Sequence, residues 1–151
     1  MSSPALLEGQ PFLIGQAIVA ALRASPALSG ALVLDNPVRA QELADGDRIV
    51  FFEDGTDRPN GDQPNQSPRR VYSFSVGVIR RGGTDVRKAA HTDYRAAMRV
   101  VRASMPAIQA LGVALDGSGL VHGQVVYRLE NIDLGGSLVL GTFTVDYRDP
   151  G

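Results

Sequence analysis

The chain has two histidines, His91 and His122, and no cysteine among its 151 residues. Neither histidine has a second His or a carboxylate at metal-ligand spacing such as His-Glu-x-x-His, so both read as structural or surface groups. His91 is expected on the polar side of a helix and His122 in a strand. Without cysteine, disulfides, thiolate catalysis and Cys-based metal sites are excluded. A nucleophile would have to be Ser or Thr, and the Gly-x-Ser-x-Gly elbow does not occur. Gly117-Ser118-Gly119 and Gly82-Gly83-Thr84 have the composition of phosphate-cradling loops, and the second precedes a helix N-terminus. Both lack the Gly-x-x-x-x-Gly-Lys-Ser/Thr pattern and read as turns. Asp54, Asp57, Asn60 and Asp62 are calcium-binding residue types, yet they lack the alternating ligands and terminal Glu of an EF-hand. No catalytic residue, metal ligand or cofactor site emerges, and the expectation is a protein that is not an enzyme.

Charge is more informative. The net charge is −1, but 42–62 holds seven acidic and two basic residues, whereas 69–102 holds nine basic and two acidic. Lys88, His91, Arg95, Arg99 and Arg102 follow at intervals of 3, 4, 4 and 3, which lines one side of a helix. No aromatic interleaves them for base stacking, so direct nucleic-acid contact is not expected. Arg is suited to bidentate contact with carboxylates, which favours an acidic protein neighbour over phosphate, a plain solvated helix face being the alternative. The same chain carries acids of complementary sign, as a head-to-tail interface requires. The candidate interface residues are therefore Lys88, Arg95, Arg99 and Arg102 with Arg80 and Arg81, against Asp45, Asp47, Asp54, Asp57 and Asp62.

The elements that must position these groups follow from periodicity. Pro11 opens a helix over 11–24, with Ile14, Ile18, Ala21 and Leu22 on one stripe. Short strands are predicted at 31–34 and 48–53. Residues 54–69 contain no large apolar side chain and read as a long exposed loop, an arm between two strands whose partial deletion (57–66) should leave the melting temperature nearly unchanged. Residues 71–80 alternate cleanly, with Tyr72, Phe74, Val76 and Val78 on one face. A second helix is predicted over 85–105, capped by Thr84, with Val86, Ala90, Tyr94, Ala97, Met98, Val101 and Met105 on its apolar face. A turn at 116–119 precedes a strand at 120–129, which pairs as a hairpin with 138–147. The order α-β-β-β-α-β-β predicts one α+β domain over 1–151. Its sheet should be mainly antiparallel, of about five strands, with two helices on one face. No run is apolar enough to span a membrane and no basic segment marks a secretory signal, so the cytoplasm of the cell that makes the chain is the expected site of synthesis.

This layout resembles the tail terminator, or tail-completion, proteins of long-tailed bacteriophages. The resemblance covers the N-terminal helix with Ile14, Ile18 and Leu22 and the strand before a long loop. It extends through the alternating strand 71–79, the helix 85–105 and the last strand ending Phe143-Thr144-Val145-Asp146-Tyr147. It implies a virion tail protein made in a bacterial host, which forms a hexameric ring that caps the tail tube, stops its growth and offers a surface for head attachment. The implied partners are further copies of itself, the tail-tube protein and a head-completion or connector protein, with no cofactor. A head-tail connector or tube subunit, or a small enzyme or ligand-binding domain using the arm as a lid, are the alternatives.

Overall fold

The computed structural model describes residues 9–36, 47–59, 69–82, 85–129 and 136–148. Helix α1 spans Gln10–Ala24, with Pro11 in its first turn and Ile14, Ile18 and Leu22 fully buried. It ends where Ser25, the residue before Pro26, is held extended. A 3-10 turn at Pro26–Leu28 leads to β1 (Leu32–Asp35), followed by β2 (Arg48–Pro59) and β3 (Arg69–Arg80). Helices α2 (Val86–Ala103) and α3 (Met105–Ala110) come next, then β4 (Ala114–Leu129) and β5 (Ser137–Arg148). The strands form one sheet in the order β1-β2-β3-β5-β4. β1 pairs with β2 in parallel and every other pair is antiparallel. The expected α+β fold, with its order of elements and mainly antiparallel sheet, is borne out.

The core lies between the helices and one sheet face. Val50 and Phe52 of β2, Tyr72 to Val78 at alternate positions of β3, and Val139, Phe143, Val145 and Tyr147 of β5 pack there with α1, α2 and α3. Phe52, Phe74 and Phe143 are fully buried, and each contributes about 1.5–3 kcal/mol on leaving water. They form a row across the sheet, with ring centroids 5.2 and 5.3 Å apart, which His122 of β4 extends by stacking on Phe143 at 4.6 Å. The four successive apolar residues of β2, Ile49 to Phe52, are buried on both faces of the sheet. Ile49 and Phe51 join Ile79 in a second cluster on the helix-free side. Gly77 is required there, because a Cβ would fall on the Phe51 ring.

Three expectations need correction. The arm does not begin as a loop at Asp54. β2 continues exposed to Pro59, in register with β3 as Arg58↔Val71 and Pro59↔Arg70, while residues 60–68 lie outside the described residues. Long-range polar contacts hold this extension where apolar burial does not. The Asp57 carboxylate accepts from the Tyr147 hydroxyl at 2.9 and 3.0 Å and from Arg70 Nε at 3.2 Å, and the Tyr72 hydroxyl donates to Asp54. Second, the turn expected at 116–119 lies inside β4. The register passes from Leu115↔Tyr147 to Leu120↔Val145, so four residues stand opposite Asp146 alone. Two glycines among them suit such a bulge. Third, α2 has Asp85 as its N-cap, with no side-chain capping bond, and Thr84 lies outside the described residues.

The buried Tyr147 makes the arm's root a structural part of the fold. Asp57→Ala is expected to cost about 1–2 kcal/mol, because it strips the acceptor from a hydroxyl on a side chain 1% exposed. Thermal unfolding should show a fall of a few degrees, and deletion of 57–66 should do the same rather than prove neutral.

Candidate functional site

Helix α2 sits on β3 and β5, and α1 on β1 and β2, so the two helices divide the sheet between them. Asp93 fixes how α2 is turned. It is 5% exposed, on the buried stripe with Ala90, Tyr94, Ala97 and Val101. Its carboxylate accepts from Arg48 Nε at 2.9 Å and Nη2 at 3.0 Å, and from Arg80 Nη1 at 2.9 Å. Arg48 also donates to the carbonyls of Ser29 and Ala27, both at 2.8 Å. One buried carboxylate thus ties the helix to the start of β2 and the end of β3.

With α2 held this way, Lys88, Arg95, Arg99 and Arg102 are exposed on its outer face, joined by Arg87. Among the described residues none of these five has a carboxylate within ion-pair distance. The other predicted interface residues fare differently. Arg80 is spent on Asp93, and Arg81 is buried and engaged within the chain. Asp54 and Asp57 are exposed, but they serve Tyr72, Tyr147 and Arg70. Asp47 is exposed, while Asp45 and Asp62 lie outside the described residues. The strand order places the described acids of β1 and β2 at one edge of the sheet and the basic helix over the half that ends in β4.

Between α2 and the β4 edge is a cleft of about 140 Å³, lined by His91, Tyr94, Arg95, Met98, His122 and Tyr127 among others. Both histidines of the chain meet there. His91 stacks on Tyr127 at 4.6 Å, and His122 Nε2 lies 2.7 Å from the Tyr94 hydroxyl. Gly141 makes the second contact possible, since a Cβ there would fall on that hydroxyl. Burial, then the charge of Arg102, holds the His122 pKa below its ordinary value, and burial pushes Tyr94 up to about 12. At neutral pH the imidazole is therefore uncharged, and its tautomer decides which of the two atoms donates. Among the described residues no carboxylate lines the cleft, and no group of three or more His, Asp or Glu able to hold a metal occurs. The cleft offers stacking surfaces, a guanidinium and an imidazole.

Sequence reasoning missed Asp93 and the meeting of the histidines. Asp93 was legible in part, since an acid three residues after Ala90 and four before Ala97 falls on the apolar stripe. Nothing local signals that positions 91 and 122 converge.

No protein-family model matches the chain, and no curated protein does. Among solved structures, a chain in the virion of a native gene transfer agent particle is similar. It has a TM-score of 0.52 and 18% sequence identity, and the match covers 97% of this chain and 100% of that one. The likeness is one of fold, over the full length of both.

His122 gives a signed pH dependence. With the folded pKa of His122 below the ordinary 6.5, the unfolded chain takes the proton first as pH falls. Its contribution to stability is therefore present above about pH 6.5 and lost below it. Melting temperature measured from pH 7.5 down to 5 should fall more steeply for the wild type than for His122→Phe. Parallel curves would exclude this linkage.

Proposed function

We propose that the chain is a structural virion protein that closes into a ring on the end of a bacteriophage tail tube. The ring ends tube polymerisation and presents a surface to a head-completion or connector protein. The fold likeness to a chain of a gene transfer agent virion carries this reading, because it spans 97% of this chain and 100% of that one. The order of helices and strands that resembles tail terminators adds to it, and so does the exposed cationic face of α2, which has no ion pair among the described residues. The action is steric. A ring seated on the tube occupies the surface that the next tube subunit would use, and no bond is made or broken. A hexamer is the ring size that the family resemblance implies.

The same likeness is compatible with a head-tail connector or a tube subunit, and the manner in which assembly stops separates these. Electron micrographs of concentrated protein, alone and mixed with tail tubes, are expected to show single rings and tubes bearing one terminal cap. Long stacks would identify a tube subunit instead. Bare tube ends beside a protein that remains monomeric would remove the ring reading altogether.

A further inference from the structure

Among the described residues nothing pairs with the outer side of β4, the last strand of the sheet. Such an edge turns the N–H and C=O of every second residue away from its partner strand. Bulges commonly blunt an edge, and β4 has irregularities between Leu115 and Leu120 and between His122 and Val125. Over 125–129 it pairs with β5 without a shift, which leaves five residues of regular free edge. Their side chains alternate between the faces. Val125 and Tyr127 lie on the helix side, opposite Gly141 and Val139, whereas Val126 and Arg128 lie on the other side, opposite Leu140 and Leu138. Tyr127 is 58% exposed, Arg128 is exposed and Val126 is half-buried.

Helix α2 stands over this edge as a cationic wall. Arg95 lines the cleft with Tyr127, and Arg102 is near enough to His122 for its charge to act on that imidazole. Both guanidiniums are exposed, as is that of Arg128 on the far face, and none of the three has an ion pair among the described residues. These features select an occupant together. Backbone groups that alternate donor and acceptor are matched by another extended chain, whereas a run of phosphates accepts but cannot donate. Unpaired guanidiniums beside that edge call for carboxylates, which they bind in a bidentate fashion. We infer that the edge 125–129 takes up an extended acidic segment of a partner protein by strand addition. The segment's carboxylates meet Arg95 and Arg102 on the helix side, and its alternate apolar side chains lie beside Val126 on the other. Arg128 adds to the attraction of an acidic chain and keeps basic ones away. This goes beyond the ring reading and does not require it, since a single copy carries the whole site.

The probe is a fluorescent synthetic peptide of alternating Glu and Val, about eight residues long, which puts carboxylates on one face of an added strand and Val on the other. Fluorescence anisotropy with the full chain is expected to show saturable binding that weakens with salt. Arg95→Ala with Arg102→Ala should bind it about tenfold more weakly or worse while unfolding thermally as the wild type does. Strand addition is read separately, on the wild type. The same peptide methylated on the backbone nitrogens of its Glu residues, or of its Val residues, keeps every charge. Only one of the two turns its methyl groups toward β4, so one is expected to lose binding and the other to keep it. Absence of binding by the parent peptide, or two methylated peptides that behave alike, overturns the inference. Tighter binding of an oligothymidylate of equal length overturns it in favour of nucleic acid. Wild-type rings that the probe dissociates would give the edge to a second copy instead of a partner protein.

Discussion

The carboxylate of Asp93, held by Arg48 and Arg80, is the contact on which the rest of the molecule turns. The apolar stripe of Ala90, Tyr94, Ala97 and Val101 sets which side of α2 faces the sheet. The buried anion gripped by two guanidiniums locks that rotation, because losing a partner from such a group costs about 3–5 kcal/mol. Once α2 is fixed in this rotation, Tyr94 points into the space left by Gly141 and reaches His122. The same rotation turns Arg95, Arg99 and Arg102 to solvent. Fold and surface charge are thus set by one interaction.

The aromatic row is the second organising feature. Phe52, Phe74, Phe143 and His122 stack across four strands, and Tyr94 joins the end of the row to α2. Each stacked pair adds about 0.5–1.5 kcal/mol beyond its buried area. This accounts for a neutral histidine in a strand without invoking catalysis. It also supports the β4 edge from within, so that Tyr127 can lie exposed over His91 as a rigid platform. At the other end of the sheet, Asp54 and Asp57 are tied to tyrosines of β3 and β5, which keeps the exposed continuation of β2 in place.

How much of this was legible in the chain follows from where the stabilising contacts lie. Strand β3 was readable because Tyr72, Phe74, Val76 and Val78 alternate with small residues. The helices were readable because their apolar residues recur with a helical period. The outer strand segment 54–59 was not, because it has no apolar pattern and is held by Tyr147, ninety residues away. The bulge at 116–119 looks locally like a turn, and only the length of β5 makes it strand. The cationic helix face was legible to the residue, since helical spacing places Lys88, Arg95, Arg99 and Arg102 together whatever the tertiary fold. Whether Arg80 and Arg81 were free was not, since their partners depend on packing.

The central claim is that the molecule works by contact between its own copies on the end of a tail tube. Sedimentation of the purified chain mixed with tail tubes is expected to show a fixed, small number of copies bound at each tube end and no further growth of the tube when tube subunits are added. A chain that stays monomeric beside tubes that continue to lengthen would contradict the account.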